Sequence, residues 1–228
     1  MNKILEEQIA YYRARAVEYD DWFLRKGRYD HGPEQNAKWF KEVEEVQYSL
    51  DRFKPTGKIL ELACGTGWWT ASLAKYTDHL TAVDASPEML AINRQRMKGL
   101  KVEYIQTDIF QWKPKNRYDV VFFGFWLSHV PPEKFKIFWD LVQSCLNPHG
   151  RIFFVDSLRS ETSGATDHQI VKVGETMSRR KLNSGQEFCV VKVFYEPDAL
   201  TAKLKDFGWK ASVSATTNYF LYGSGKPI

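Results

Sequence analysis

Long apolar runs are missing from this 228-residue chain. None approaches the roughly 20 residues that a membrane-spanning helix needs, and the N-terminus has no apolar signal core, so neither membrane insertion nor secretion is expected. Cysteine is scarce: Cys64, Cys145 and Cys189 are odd in number, far apart and free of CxxC spacing. That excludes a disulfide framework or a zinc cage and fits a reducing, cytoplasmic setting. No pairing of histidines and acids has metal-ligand spacing, so no metal is expected. Charge of one sign is also lacking. The formal net charge is only +4, and the basic clusters at Arg94, Arg96 and Lys98 and at Arg179, Arg180 and Lys181 lie in a chain where acids are interspersed nearly everywhere. That argues against a dedicated nucleic-acid surface. Repeats and low-complexity segments are absent too. What remains is an ordinary globular composition at a length that suits one domain.

Aromatic residues are abundant: eight Trp, eleven Tyr and fifteen Phe exceed what a core of this size requires. An aromatic-walled pocket is one use for them.

Segment 1–24 places Ile4, Leu5, Ile9, Tyr12, Ala16, Tyr19 and Phe23 at helical spacing, which predicts a first amphipathic helix. A loop with Gly27 and Gly32 follows, and Pro33 opens a second helix with Trp39, Val43, Val46 and Leu50 inward. From Lys58 the pattern changes to short apolar strands alternating with helices. Strands are predicted over 58–62, 79–84, 102–106, 118–123 and 152–156, with helices over 68–76, from Ser86-Pro87 onward and over 132–146. Alternation of this kind implies a parallel sheet covered on both faces. The last third departs from it. Two strand-like runs, 175–182 and 187–195, flank Asn183-Ser184-Gly185 as a hairpin. A helix over 197–207 and two closely spaced strands, 209–215 and 219–222, complete the chain as an antiparallel ending.

The sharpest local signal is Glu61-Leu62-Ala63-Cys64-Gly65-Thr66-Gly67, after a strand and before a helix. Gly65 and Gly67 admit close backbone approach, and the amides at the helix start favour a negative group. Asp84 ends the next strand after this loop, where a carboxylate can accept from both hydroxyls of a ribose. There is no third glycine to pack under a pyrophosphate. Glu61 would repel a pyrophosphate and attract an ammonium. The ligand implied is a ribose joined to a zwitterion.

These residues resemble the class I S-adenosylmethionine-dependent methyltransferases, small-molecule type. Glu61-x-Ala63-Cys64-Gly65-x-Gly67 is similar to the family's first motif, with Ala63 in place of a common glycine, and Val83-Asp84-Ala85-Ser86-Pro87-Glu88-Met89-Leu90 to its second. Gln106-Thr107-Asp108-Ile109 resembles the third, and Tyr118-Asp119-Val120-Val121 the fourth strand, so the likeness spans about 56–225. It implies an α/β, Rossmann-like fold: a seven-stranded, mostly parallel sheet with helices on both faces and an antiparallel C-terminal hairpin. An N-terminal helical cap (1–55) precedes the core (56–225), which carries a β-hairpin insertion (157–196) after strand five, all in one domain. The cofactor implied is S-adenosylmethionine. Asp84 would bind its ribose, Ala85 and Met89 its adenine, Asp108, Ile109 and Thr107 the adenine edge, and Glu61, Ala63, Gly65 and Gly67 its methionine moiety. Gly124 and Phe125 would lie near the sulfonium, with Tyr19 and Tyr12 folded over the cofactor.

For chemistry, His129 follows the fourth strand at the sheet's carboxyl edge and is the candidate base, against a structural or capping role. Trp126, Arg180 and Tyr195 are the candidate acceptor contacts, and the other histidines read as surface residues. The expectation is metal-independent, in-line methyl transfer, to oxygen or nitrogen, of a small aromatic or apolar acceptor. An RNA or protein methyltransferase, a nicotinamide dehydrogenase and a cofactor-binding module without turnover are the alternatives. Acceptor identity, the atom methylated and oligomeric state are not encoded in these motifs.

Overall fold

A computed structural model describes residues 3–168 and 171–228. Seven strands form one sheet: β1 (Ile59–Leu62), β2 (Leu80–Asp84), β3 (Val102–Gln106), β4 (Tyr118–Gly124), β5 (Leu146–Ser157), β8 (Trp209–Ala215) and β9 (Phe220–Pro227). Their order is β3-β2-β1-β4-β5-β9-β8, parallel up to β5 and antiparallel where β9 meets β5 and β8. Strand order reverses between β1 and β4, the place where open α/β sheets bind ligands beyond their carboxyl ends.

Both faces of the sheet are apolar because successive side chains point to opposite sides. Leu60, Leu62, Val121, Phe123, Ile152 and Phe154 bury one face. Against it lie α6 (Phe135–Ser144), through Phe138, Trp139 and Val142, and α7 (Pro197–Asp206), through Leu200 and Leu204. Ile59, Val120, Phe122, Phe153 and Val155 bury the other, under Trp39, Val46 and Leu50 of α3 (Pro33–Phe53) and Trp69 and Leu73 of α4 (Trp68–Leu73). α5 (Pro87–Arg96) has Pro87 in its first turn, and its capping Ser86 accepts from the Met89 amide at 3.1 Å.

Several predicted elements differ in extent: β5 begins at Leu146 rather than at 152, the strand predicted over 187–195 ends at Val191, and β9 runs to Pro227 rather than to 222. The first helix stops early: α1 (Lys3–Arg15) gives way to a 3-10 turn at Ala16–Glu18 and a short α2 (Tyr19–Phe23), and the break re-aims Tyr19 toward the sheet. The helix predicted over 132–146 is shortened to α6, because the Cys145 carbonyl is taken by the Tyr118 amide (2.8 Å) and Leu146 already pairs with Tyr118 as the start of β5.

The hairpin predicted from Asn183-Ser184-Gly185 forms its own two-stranded sheet from β6 (Met177–Lys181) and β7 (Glu187–Val191), with Gly185 at φ +89° in the turn. α1 lies on it: Tyr11 is buried with Leu182, Phe188 and Val190. Glu7 and Gln8 accept from the Cys189 and Val191 amides at 2.6 and 3.1 Å, satisfying the free edge of β7 with side chains. Cap and insertion thus meet over the carboxyl edge of the sheet. Among the described residues, no helix is long and apolar enough to cross a membrane, and no group of three His, Cys, Asp or Glu could hold a metal ion.

Candidate active site

The loop after β1 is shaped by left-handed backbone at Ala63 (φ +54°), Gly65 (+52°) and Gly67 (+94°). Ala63, where the resemblance expects glycine, therefore occupies a glycine-type conformation. Asp84 knits this loop to the next strand: Oδ2 accepts from the Gly65 amide and Oδ1 from the Ser86 amide, both at 2.9 Å. Each carboxylate oxygen keeps a second lone pair for a hydroxyl. Beside the loop, Glu61 is only 2% exposed and has one bond, accepted by Oε2 from the Thr70 hydroxyl at 2.6 Å. Burial pushes its carboxyl up to about 8, with Asp84 adding to the effect. No cation of the described residues pairs with it, so the site lacks, and fits, a positive ligand group such as an amino acid ammonium.

The cavity over this loop is lined by Ala63, Gly65, Asp84, Ala85, Met89, Asp108, Ile109, Gly124, Phe125 and Trp126, and roofed by Tyr12 and Tyr19. Glu61 and Gly67 line its continuation under Tyr19. Asp108 turns its chain by accepting from the Phe110 amide at 2.9 Å. Thr107 is not in the lining; its amide bonds the Asp84 carbonyl and so holds the end of β3 to β2. α2 is locked over the loop through Asp20, which accepts from the Thr66 hydroxyl (2.6 Å) and the Trp68 indole (3.0 Å) and pairs with Arg96. Those contacts set the position of Tyr19.

A second, polar cavity adjoins the first, sharing Tyr12, Tyr19 and Phe125 as walls. It gathers the cap (Arg15, Trp22, Tyr29), His129, the segment after β5 (Ser157–His168), and Arg180, Lys192 and Phe194 of the insertion. The segment after β5 is strapped to the cap: Trp22 Nε1 and Arg25 Nη1 donate to the Ser163 carbonyl at 2.8 and 3.0 Å, and His31 contacts the Gly164 carbonyl at 2.9 Å. His129 is buried, Nδ1 2.6 Å from the Val191 carbonyl and Nε2 2.7 Å from the Tyr12 hydroxyl. Lys192 donates to Ser128 Oγ at 2.8 Å and stands 3.7 Å from Asp156, whose Oδ2 accepts from the Ser128 amide at 2.8 Å. Burial lowers the Lys192 ammonium to about 8, against the opposing pull of Asp156.

Of the three candidate acceptor contacts, only Arg180 lines this cavity. Trp126 lies in the first cavity beside Phe110. Tyr195 points the other way, packed on Phe135 with Lys203 over its ring. Lys192 and Phe194, two residues apart, face the cavity, so the period of two places Tyr195 on the opposite side. Arg15, Tyr29, His168 and Lys192 complete the wall; the first three read from sequence only as isolated cap and loop residues.

A family profile described as "Methyltransferase domain" matches residues 59–150. The solved DhpI complex with S-adenosylmethionine (SAM) and HEP is similar over 100% of this chain and 99% of its own, at 36% identity and a TM-score of 0.82. DhpI has also been solved with SAH, S-adenosylhomocysteine. Demethylmenaquinone methyltransferase of Listeria monocytogenes is 27% identical over 136 residues, 57% of this chain and 55% of that protein. Ubiquinone biosynthesis O-methyltransferase of Xylella fastidiosa is 29% identical over 184 residues, 78% and 71% of the two chains. This chain spans about half the length of the demethylmenaquinone enzymes it matches. It belongs to the class I SAM-dependent methyltransferases, and SAM is its cofactor.

Proposed function

We propose that this enzyme transfers the methyl group of SAM to an oxygen of a small acidic acceptor held in the polar cavity. The observation that carries the reading is Arg15. Its side chain is buried among the rings of Tyr19, Tyr11 and Tyr29, at 4.9, 5.6 and 5.7 Å, it forms no ion pair with any described residue, and its Nε has no partner. A buried cation without a counter-charge costs several kcal/mol, and an anionic ligand removes that cost. Arg180, also without an ion pair among the described residues, and Lys192 line the same cavity. The aromatic walls expected from the sequence are there in Trp22, Phe125 and Phe194, but they enclose cations. An apolar acceptor would leave Arg15 and Arg180 without a counter-charge; Lys192 is already paired with Asp156, and the Glu161 carboxylate is the acid in the lining. The solved relative DhpI forms a complex with SAM and a second ligand, HEP, which supports a small co-bound acceptor here.

When bound, SAM supplies an electrophilic methyl on a sulfonium. Asp84 holds the ribose, Glu61 the ammonium, and Met89, Ala85 and Ile109 the adenine, leaving the sulfonium toward Gly124 and Phe125. Arg15, Arg180 and Lys192 hold the acceptor's anionic group so that one oxygen lies in line with the methyl; positioning of this kind supplies much of the rate gain. An ionised oxygen needs no base, so neutral His129 orients through Tyr12. In this single-domain reading, the cap (1–55) and insertion (157–196) hold the acceptor, and the core (56–225) the cofactor.

The test is transfer of labelled methyl from SAM to phosphonates, phosphate monoesters, carboxylic acids, phenols and amines, with RNA and a protein extract alongside. Label in an acid, with mass spectrometry placing the methyl on an acidic oxygen, is the predicted result. Label confined to phenols, amines or macromolecules overturns it.

A further inference from the structure

His168 lines the polar cavity, yet its ring nitrogens are spent on the protein. Nδ1 is 3.0 Å from Nη1 of Arg180, and Nε2 is 3.3 Å from the Lys181 carbonyl oxygen. A guanidinium has only N–H groups to offer, so Nδ1 must accept. Nε2 faces both the Lys181 carbonyl oxygen and the Lys181 amide N–H, each at 3.3 Å. With Nδ1 accepting from Arg180, the neutral imidazole carries its proton on Nε2 and gives it to the carbonyl, and the amide then has no acceptor in the ring. Tyr29 meets the ring edge-on, centroids 6.4 Å apart at 82°. Arg180 Nη1 also passes close to the bare backbone of Gly164, where a Cβ would stand 3.7 Å away.

The guanidinium neighbours keep this imidazole neutral, against the adjacent Asp167 carboxylate, which Arg28 already pairs. Arg180 from β6, Arg28 (itself bonded to Asp167 at 3.0 Å) and Arg15 from α1 all oppose a proton, and together with burial, the largest cause, they push the ring down to about 4. A protonated ring would repel Arg180. A neutral one is a hydrogen-bond acceptor placed behind a long, flexible cation that has no carboxylate partner among the described residues to hold it.

We propose that His168 is a positioning residue for acceptor binding: its Nδ1 holds the Arg180 guanidinium in the orientation that receives the acceptor's anionic group. The role rests on the acidic-acceptor reading above, and two measurements separate failure of the one from failure of the other.

Imidazole 15N NMR of the full chain needs no acceptor. His168 is expected as the Nε2–H tautomer, uncharged at pH 6, and its titration moves upward in R180M. A ring that titrates at the ordinary histidine value and ignores R180M means that the pair does not form, and the proposal falls whatever the acceptor is. Calorimetric binding of inorganic phosphate to the SAH-loaded enzyme then tests the consequence. H168A should weaken phosphate about tenfold, the loss of one hydrogen bond behind a charged contact, with SAH affinity unchanged. H168N, whose Oδ1 can take the place of Nδ1, should restore binding to within about threefold. In the R180M background H168A should add no further loss, as expected for residues acting through one contact. Equal phosphate affinity in wild type and H168A, or the same loss with and without Arg180, overturns the positioning role. An intact pair by NMR in an enzyme that binds no phosphate overturns the acidic-acceptor reading and this role with it.

Discussion

The Tyr12 hydroxyl lies 2.7 Å from His129 Nε2, in the wall between the cofactor cavity and the basic cavity. The Val191 carbonyl, 2.6 Å from Nδ1, can only accept, so Nδ1 carries the proton and Tyr12 donates to Nε2. Burial, then Lys192, push the imidazole well below its usual range. We therefore expect kcat to be flat between pH 6 and 8. An inflection near 6.5 that disappears on substituting His129 would show that the ring titrates and restore it as a base. Y12F should lower turnover about fivefold through lost orientation, worth roughly 1 kcal/mol. H129A should also destabilise the fold by about 1–3 kcal/mol, because the Val191 carbonyl and the Tyr12 hydroxyl lose their partner; chemical denaturation reads that cost.

Glu61 predicts proton release on cofactor binding. Its carboxyl is raised to about 8 by burial, so at pH 7 it is mostly protonated before SAM arrives. An ammonium beside it favours the carboxylate, and the proton leaves. Calorimetry at pH 7 in buffers of different ionisation enthalpy should show net release, and E61Q should abolish it. The linked effect on stability has a definite sign. A group whose folded value is raised stabilises below its unfolded value, near 4.5, and that contribution is lost as pH rises through about 8. The free enzyme should accordingly lose a few kcal/mol relative to E61Q between pH 5 and 8, and saturating SAM should reverse the trend.

The glycine-loop half of this candidate site is legible in the sequence because its signals are local. A glycine loop, an acid at the end of the following strand and capped helices depend on neighbours in sequence, and the parallel pairing of the sheet follows from the alternation of strand and helix. The acceptor half depends on contacts between distant segments. Arg15 on an amphipathic helix reads as a solvated charge until the hairpin folds over it; His168 reads as a loop residue until Arg180 meets it across the cavity. Glu42 is another case: on the inner side of α3 it accepts from the Asn218 and Tyr219 amides, at 3.1 and 2.8 Å, a use nothing near it in sequence discloses. Tyr195 gives way to Phe194 in the cavity wall because Lys192 and Phe194 keep a period of two past the end of β7, which turns Tyr195 outward.

Lys192 predicts how acceptor binding depends on alkali. Its ammonium is buried and lowered to about 8. As pH rises through about 8 the free enzyme loses this charge while Arg15 and Arg180 keep theirs. An anion beside Lys192 favours the protonated form, so acceptor binding takes up protons in that window. KM for an acidic acceptor should rise above pH 8 with kcat little changed, and K192R should remove the rise at a cost in packing. A KM that stays level to pH 10 would take Lys192 out of the acceptor's reach.

Two of the three left-handed positions of the first loop should answer oppositely to single-methyl changes. At Ala63, φ +54° costs an L-residue about 1 kcal/mol that glycine does not incur, while glycine gives the unfolded chain roughly 0.4–1 kcal/mol more entropy to lose. A63G should therefore change stability by less than about 1 kcal/mol and leave SAM affinity within threefold. At Gly67 the conformation is also left-handed, and an added Cβ would stand 2.7 Å from Cγ of Asn93. Asn93 cannot retreat cheaply: it is fully buried, donates to Thr70 Oγ1 at 2.9 Å and to the Gly65 carbonyl at 3.3 Å, and accepts from the Tyr104 hydroxyl at 2.8 Å. Either the loop lifts or this network breaks, and each broken bond leaves a buried polar group costing about 1–3 kcal/mol. G67A should lower the unfolding free energy by about 2 kcal/mol or more, the cost of one or two such groups, and weaken SAM more than tenfold. Equal behaviour of the two variants in thermal unfolding and SAM titration would mean that Asn93 does not set the loop's shape.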